Sequence, residues 1–141
     1  MLAKTIMNDL RLHHIGFVVR SIEAAAPDFI GSLGAAWDEV IYHDPLQKVR
    51  VTFLQPGTGA AIELVEPAGA DSPVVRFLEM TGGGLHHLCY ETPDMEETIR
   101  QLRKQGVLKV RSPLPAVAFQ GRRIAWLLTR QKLLLELLAL T

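Results

Sequence analysis

The stretch Gly82-Gly83-Gly84-Leu85-His86-His87-Leu88 decides the fold, because a glycine run leads directly into a histidine pair at the head of an apolar, strand-like segment. An earlier stretch, Leu12-His13-His14-Ile15, repeats its Leu-His-His-aliphatic core 73 residues before it. The same spacing separates Glu63 from Glu136, each of which is a single carboxylate within an apolar run. The sequence therefore predicts a duplicated unit that places one histidine and one glutamate at matching points of each half.

Length and composition predict one globular domain over residues 1–141. Hydrophobic residues make up 48% of the 141 residues, which is enough to bury a core. No apolar run is long enough for a membrane helix. Met1–Leu10 lacks the apolar core and the cleavage site of a secretory leader, so we expect a cytoplasmic protein with no membrane partner. With Cys89 as the only cysteine, an intrachain disulfide and a Cys-rich zinc site are both excluded.

Charge is balanced over the chain but unevenly placed. Residues 101–141 hold eight Lys and Arg side chains against Glu136 alone, although the formal net charge is zero. One interpretation is a solvated surface balanced by the acidic middle of the chain. The other is a docking site for an anionic partner, such as a phosphate-bearing thioester carrier. We expect no nucleic-acid partner, because the chain has no net positive charge and no aromatic-rich basic motif.

Hydrophobic periodicity and turn residues predict the same order of elements in both halves, namely a strand, a helix and three strands. The first half has predicted strands at 12–19, 37–42, 49–54 and 60–65, a turn at 43–45, and a helix from the Ser21 N-cap to Gly34. Ser72 and Pro73 predict the start of a short helix that reaches Leu78. The second half has predicted strands at 85–91, 107–110, 123–128 and 133–138, a helix at 94–105, and a connector at 113–115.

These elements predict an α+β fold built from two tandem βαβββ modules. The modules span about residues 12–67 and 84–139, and a linker with a short helix occupies about 68–82. Their sheets are expected to curve around a shared metal-binding cleft.

The two glutamates are difficult to explain as ordinary surface residues. A buried carboxylate is unfavourable unless it is paired or bound to a metal, and the runs around Glu63 and Glu136 are apolar on both sides. Arg50 or Arg123 could supply such a pairing, which is the structural alternative. Two histidines and two glutamates related by duplication instead suit a divalent metal that keeps open positions for substrate. The predicted ligands are His14, Glu63, His87 and Glu136.

Neighbouring residues on a strand face opposite ways, so His13 and His86 are expected to point away from any metal that His14 and His87 bind. We therefore predict a structural role for both. Cys89 would share the face of His87, where we expect it to pack as a small apolar residue.

Several motifs resemble the vicinal oxygen chelate superfamily of glyoxalases, bleomycin resistance proteins and dioxygenases, and in particular its methylmalonyl-CoA epimerase branch. They are His-Ile-Gly at His14, Ile-Glu-Leu-Val-Glu-Pro around Glu63, Ser-Pro-Val-Val-Arg-Phe-Leu from Ser72, and Gly-Gly-Leu-His-His ending at His87. The resemblance implies paired βαβββ modules and one divalent metal ion (Co, Mn, Ni, Zn or Mg) held by the four residues named above. It also implies a homodimer, which the apolar segment Leu133–Leu138 favours unless that strand is buried within one chain.

The chain departs from the epimerase pattern at two places. Those enzymes usually carry a His-Pro-Lys segment and a glycine-containing loop before the last strand, where this chain has only the turn Thr129–Lys132. Some also place a separate catalytic carboxylate near the start of the third strand, where this chain has Val49, Arg50 and Val51. The liganding glutamates, Glu136 and Glu63, therefore remain as the candidate catalytic bases.

The function that the resemblance implies is a metal-dependent isomerase or epimerase. It would abstract the proton alpha to the carbonyl of a small acyl thioester carried on CoA or on a carrier protein. One alternative is a glyoxalase I-type lactoylglutathione lyase, which would use the same ligands. Another is a non-catalytic small-molecule binding or resistance protein of the same fold, against which the retention of all four ligand positions argues. An extradiol dioxygenase is a further option, although such enzymes normally use two histidines and one carboxylate.

Overall fold

A computed structural model describes residues 6–141, which form nine β-strands and three α-helices. The strands are β1 (Arg11–Val18), β2 (Ala36–Trp37), β3 (Tyr42–Asp44), β4 (Val49–Gln55), β5 (Ala61–Pro67), β6 (Gly84–Thr92), β7 (Leu108–Pro115), β8 (Arg123–Leu128) and β9 (Leu134–Ala139). The helices are α1 (Ile22–Leu33), α2 (Val75–Thr81) and α3 (Met95–Lys104). Short 3₁₀ turns lie at Ile6–Asp9 and Val117–Phe119. The predicted α+β fold class is confirmed.

The sheet shows the duplication directly. Its strand order is β2-β4-β5-β1-β6-β9-β8-β7, and β3 pairs with β4 beside this path. The central strands β1 and β6 are antiparallel, while β5 runs parallel to β1 and β9 runs parallel to β6. Each half therefore repeats the other across the β1/β6 boundary. The module boundaries drawn from the sequence stay predictions.

Equivalent positions also begin the two long helices. The Ser21 hydroxyl accepts a hydrogen bond from the backbone N–H of Ala24 at the start of α1. The Asp94 carboxylate accepts one from the backbone N–H of Glu97 at the start of α3. Both caps satisfy an N–H that has no partner within its helix, and they stand 73 residues apart.

Alternation along the strands separates a helix-covered face from a cleft face. On β5, Ile62 and Leu64 pack in one cluster with α1, while Val65 belongs to a cluster on the other face. On β9, Leu135 and Leu137 pack against α3, while Leu138 belongs to another cluster. Glu63 and Glu136 lie between these residues, so alternation directs both carboxylates to the cleft face.

The region between α1 and β4 differs from the prediction. The single strand predicted at 37–42 is two short strands, because Glu39 has a left-handed backbone (φ 63°) and the Asp38 carboxylate accepts from the backbone N–H of Val40. The turn predicted at 43–45 is wrong as well. His43 and Asp44 belong to β3, and the turn follows at 45–48.

Two proline-containing segments also differ. The predicted cap at Ser72 with Pro73 in the first turn is wrong, because α2 begins at Val75 and its N-cap residue, Val74, makes no side-chain hydrogen bond. The predicted connector at 113–115 is part of β7. This strand lies at the edge of the sheet, where a proline removes no ladder hydrogen bond that the sheet needs.

The apolar last strand is buried within the chain. Every residue of β9 from Leu135 to Ala139 is buried between β6 and β8 and their neighbours. The alternative of a strand buried on both faces therefore accounts for its composition. The homodimer stays a prediction that rests on the family resemblance.

No helix among residues 6–141 has the length and hydropathy needed to cross a membrane. The prediction of no secretory leader rests on Met1–Leu10, of which residues 1–5 lie outside the described part of the chain.

Candidate metal centre

The strand register brings the four predicted ligands into one place. In the β1/β6 pair, Gly16 lies opposite His87 and Cys89 lies opposite His14. On the outer sides of this pair, Glu63 is the β5 partner of Gly16, and Glu136 is the β9 partner of Cys89. Each carboxylate therefore sits one strand away from the histidine pair, and the two are related by the duplication.

The donor atoms converge at short distances. The Nε2 atom of His14 is 3.2 Å from Nε2 of His87, 2.9 Å from Oε1 of Glu136 and 3.5 Å from Oε1 of Glu63. The Nε2 atom of His87 is 3.2 Å from Oε1 of Glu63 and 3.5 Å from Oε1 of Glu136. All four residues are buried, and their ligand atoms lie within 4.8 Å of one another.

These distances fit the edges of a metal coordination shell. Atoms bound about 2.1 Å from one ion are about 3.0 Å apart at right angles and about 3.4 Å apart at a tetrahedral angle. The Oε1 atom of Glu136 is buried and lies 2.9 Å from Nε2 of His14, as an oxygen ligand beside a nitrogen ligand would. A buried carboxylate oxygen is unfavourable unless a cation lies beside it, which a protonated histidine supplies without a metal and a bound ion would supply with one. The donor set therefore fits a divalent ion.

Gly16 makes room for one of the four side chains. A Cβ atom built at this position would lie 2.0 Å from Cε1 and 2.3 Å from Nδ1 of the His87 ring. The imidazole is rigid and its Nε2 is directed at the other donors, so it could not move aside without leaving the cluster. The glycine of the His-Ile-Gly motif is thus required by this close approach rather than by a turn.

The cluster is held together by charge. Burial alone would lower the pKa of His14, but Glu63 and Glu136 outweigh it and raise the pKa to about 10. Burial would likewise lower the pKa of His87, and the same carboxylates raise it. Burial would raise the pKa of each glutamate, and the two histidines lower both. Without a metal, His14 is protonated and both glutamates are ionised at neutral pH, and the same charges favour the protonated form of His87.

The structural alternative for the glutamates is wrong, because both arginines have other partners. Arg50 pairs with Glu66 at 2.7 Å and with Glu23 at 2.8 Å. Arg123 pairs with Glu96 at 2.6 Å. The pairs of Arg50 with Glu23 and of Arg123 with Glu96 are again 73 residues apart, and each joins a strand to the first turn of a long helix.

The adjacent histidines contact the site, contrary to the expectation that they point away. The Nδ1 atom of His13 lies 2.8 Å from Nδ1 of His14, and that of His86 lies 2.9 Å from Nδ1 of His87. Burial, together with the charge of the neighbouring His87, lowers the pKa of His86 to about 4. Each outer ring can therefore accept a hydrogen bond from the inner ring and leave the inner Nε2 free to bind.

Cys89 behaves as a packing residue. It is fully buried in a cluster with Ala116, Phe119, Ile124 and Leu138. Burial and the charge of Glu136 raise the pKa of its thiol well above the ordinary value, so it remains protonated.

A cavity of about 250 Å³ opens over the centre. Its walls are mostly apolar, and Glu63, His87 and Glu136 form part of its lining. The apolar lining includes Val49, Val51, Val65, Val74, Ala116, Phe119, Ile124 and Trp126. A small acyl group could therefore lie against the donor cluster in surroundings that exclude water.

The polar residues Asp44, Gln47 and Arg111 also line this cavity, and sequence analysis did not identify them as site residues. Asp44 accepts hydrogen bonds from the backbone N–H groups of Leu46, Gln47 and Val117. These bonds fix the turn that carries Gln47. Asp44 and Val117 are separated by 73 residues, the same spacing as the predicted ligands. The two residue types differ, so this spacing could not be noticed from the sequence without the contact.

The excess positive charge of the last third of the chain is partly used inside the protein. Arg122 pairs with Glu91, and Arg123 pairs with Glu96. Arg111 reaches across to Gln47 at the cavity. These three cations are thus not part of a uniform surface patch.

Comparisons with known proteins agree with this geometry. The profile of the Glyoxalase/Bleomycin resistance protein/Dioxygenase superfamily matches residues 13–126. The uncharacterized protein YqjC of Bacillus subtilis is 37% identical over 123 residues, which cover 86% of this chain and 84% of that protein. The ethylmalonyl-CoA/methylmalonyl-CoA epimerase of Cereibacter sphaeroides is 34% identical over 119 residues, covering 83% and 87% of the two chains.

Solved structures lead to the same group. A crystal structure of methylmalonyl-CoA epimerase from Mycobacterium tuberculosis superimposes with a TM-score of 0.81 at 27% identity, covering 99% of this chain and 92% of that one. A variant of the Streptomyces coelicolor methylmalonyl-CoA epimerase in complex with 2-nitronate-propionyl-CoA gives a TM-score of 0.78 at 26% identity, covering 92% and 96%. The chain belongs to the Glyoxalase/Bleomycin resistance protein/Dioxygenase superfamily.

Proposed function

We propose that this protein is a metal-dependent epimerase that inverts the carbon alpha to the carbonyl of a small 2-substituted acyl-CoA thioester. The observation that carries the proposal is the buried cluster of two histidines and two glutamates at the base of an apolar cavity. Its relatives include epimerases of ethylmalonyl-CoA and methylmalonyl-CoA, and one similar structure holds an acyl-CoA ligand.

His14, Glu63, His87 and Glu136 would hold the ion, because their donor atoms lie at the mutual distances of a coordination shell. A bound divalent cation would polarise the thioester carbonyl and so make the alpha proton easier to remove. Glu63, His87 and Glu136 line the cavity, which would give substrate oxygens access to an ion held there. Imidazole nitrogens suit zinc and nickel, and carboxylate oxygens suit manganese and magnesium, so cobalt, manganese, nickel, zinc and magnesium are the candidates.

Inversion requires that a proton leave one face of the carbon and return to the other. The arrangement of the two glutamates supports a two-base route, since Glu63 on β5 and Glu136 on β9 lie on opposite sides of the central strand pair. One carboxylate would take the alpha proton while the C–H electron pair moves toward the carbonyl oxygen. The other would pass a proton taken from solvent to the opposite side, and the first would release its proton to solvent. The lowered pKa of each glutamate keeps both in the proton-accepting form at neutral pH.

The apolar walls support the same chemistry. Phe119 and Trp126 line the cavity next to the histidine cluster, at ring distances of 5.8 Å from His14 and 4.7 Å from His87. Such surroundings strengthen the electrostatic interactions of a polarised carbonyl and limit side reactions with water.

The experiment is proton exchange in deuterated water, followed by NMR, with a panel of acyl-CoA, acyl-pantetheine and glutathione hemithioacetal substrates. We expect exchange at the alpha carbon of methylmalonyl-CoA or ethylmalonyl-CoA. Turnover of the hemithioacetal without exchange on any thioester would assign the site to a lactoylglutathione lyase instead. Binding without turnover on the whole panel would favour a non-catalytic binding protein.

A further inference from the structure

We propose that Gln47 and Arg111 form a carboxylate-binding site in the wall of the cavity, which selects acyl groups that carry a free carboxylate. The proposal rests on the proposed function, because it names the substrate class of the same cavity.

Arg111 is directed to the cavity by an irregularity in β7. The pairing of β7 with β8 shifts register on both sides of this residue, between Lys109 and Arg111 and again between Arg111 and Leu114. Bulges of this kind turn side chains away from the regular alternation and are common beside active sites. The guanidinium then reaches the turn that follows β3, where it donates to the backbone carbonyl of Leu46 at 3.1 Å and to Oε1 of Gln47 at 3.2 Å.

The contact with Arg111 also fixes which way the Gln47 amide faces. A guanidinium can only donate, so the Gln47 atom that it meets must be the oxygen. The amide nitrogen of Gln47 is left without a hydrogen-bond partner. The residue is only 7% exposed, and it lines the cavity. An unpaired buried donor is unfavourable, and an acceptor on a ligand would remove that penalty.

The two side chains together suit a carboxylate. Arg111 forms no ion pair with any carboxylate among residues 6–141 and is the one Lys or Arg among the described residues lining the cavity. Asp44 lies nearby, but its oxygens accept from three backbone N–H groups. A planar guanidinium beside an unpaired N–H donor offers one donor for each of the two oxygens of a carboxylate.

An anion at Arg111 could also be a phosphate of the carrier, so the probes must separate the two sources. Methylmalonyl-pantetheine carries the carboxylate and no phosphate, whereas 2-methylacetoacetyl-pantetheine has a neutral ketone in place of the carboxylate. Binding of each is measured by calorimetry on the purified metal-loaded protein, with metal-free protein in parallel. This measurement does not depend on turnover, so it remains informative if the epimerase proposal fails.

The central variant is Gln47→Glu, which keeps an oxygen for Arg111 and replaces the unpaired N–H₂ with a repelling carboxylate oxygen. We expect the dissociation constant of methylmalonyl-pantetheine to rise at least ~10-fold, the scale of a lost charge-assisted hydrogen bond, with less than ~2-fold change for the ketone. Arg111→Met should act in the same direction. Lys109→Met, an exposed position on the same strand, is the matched control and should change neither.

Three outcomes would overturn the proposal. The first is equal binding of both probes by the parent protein, and the second is loss of both to the same extent in Gln47→Glu at unchanged melting temperature. The third is an Arg111→Met effect that appears with methylmalonyl-CoA and vanishes with methylmalonyl-pantetheine, which would assign Arg111 to a carrier phosphate. Carboxylate-selective binding without any proton exchange would retain this site while rejecting the epimerase function.

Discussion

The Nε2 atoms of His14 and His87, 73 residues apart in the chain, lie 3.2 Å from each other in the middle of the sheet. Two ring nitrogens at this distance cannot both carry a proton without repulsion unless carboxylates surround them, and Glu63 and Glu136 do so on either side. The site therefore lies on the pseudo-twofold axis that relates the two halves of the chain. Each half supplies one nitrogen and one oxygen, and neither half is sufficient alone.

The replacement Gly16→Ala tests the close approach on which this arrangement depends. The new methyl would meet the His87 ring at 2.0 Å, so the ring must leave the cluster. We expect metal affinity to fall at least ~10-fold and the free energy of unfolding to drop by about 1–3 kcal/mol, as in other overpacked sites. Calorimetry and thermal melting measure the two effects.

The matched control is Gly31→Ala, because a Cβ atom at Gly31 meets nothing within 4 Å. It should leave metal affinity unchanged and stabilise α1 slightly. Parent-like affinity in Gly16→Ala would mean that His87 is not held against β1 as described.

The pH dependence of the metal-free protein follows from the charges in the cluster. The pKa of His14 is raised from 6.5 to about 10, so its stabilising contribution is complete below pH 6.5 and is lost as pH rises toward 10. The pKa values of Glu63 and Glu136 are lowered from 4.5, so their contribution is present above pH 4.5 and is lost on acidification. The melting temperature of chelator-treated protein should therefore fall between pH 7 and 10.

Other groups titrate in the same range, and the double variant Glu63→Gln/Glu136→Gln corrects for them. It lacks the carboxylates that raise the pKa of His14, so its melting temperature should decline less over that interval. Parallel curves for the two proteins would show that the cluster does not control this loss of stability.

Replacing one proposed base, Glu136→Gln, should lower the rate of alpha-proton exchange on methylmalonyl-CoA by at least ~100-fold, the scale expected for losing a general base. Glu79→Gln is the control, since Glu79 is exposed on α2 and lies outside the cavity. The rate is measured at saturating metal, so that weaker metal binding does not mimic the loss. A Glu136→Gln protein with the parent rate would require another base.

The predicted homodimer needs a test of its own, because β9 is buried within one chain and its apolar composition is no longer evidence for a dimer interface. Light scattering at micromolar concentration should give twice the mass of one chain, as the family resemblance leads us to expect. A monomer mass would withdraw this prediction without touching the site, since all four proposed ligands come from one chain.

Much of the fold and the four-residue cluster could be predicted because duplication leaves a signal in the sequence. The 73-residue spacing identified His14 with His87 and Glu63 with Glu136, and alternation along the strands placed them on one face. No such pattern marked Gln47 or Arg111. Arg111 reaches the cavity through an irregular register in an edge strand, and Gln47 through a turn fixed by contacts distant in sequence. Both depend on tertiary contacts that periodicity does not encode.

Alternation also failed for the outer histidines. It predicted that His86 would face away, yet this residue lines the cavity and contacts Nδ1 of His87. The β1/β6 pairing has register shifts between Leu12 and His14 and between Gly16 and Phe17, so strict alternation does not hold where the two halves meet.

A pair of single replacements prepares the most direct test. His87→Ala should abolish binding of a divalent ion, because it removes one of the four donors of the centre. His43→Ala removes an exposed histidine from β3 and should bind metal like the parent. Equal binding by both variants would show that the bound ion lies elsewhere.

The measurement that tests the central claim most directly is the rate of alpha-proton exchange on methylmalonyl-CoA in deuterated water, recorded while a divalent metal is titrated into chelator-treated protein. We predict no exchange above background without metal, and a rate that rises until about one ion per chain is bound, as one four-ligand centre requires. The His87→Ala protein should show no such rise. Full exchange in the chelator-treated parent, unchanged by added metal, would contradict a metal-dependent epimerase built on these four residues.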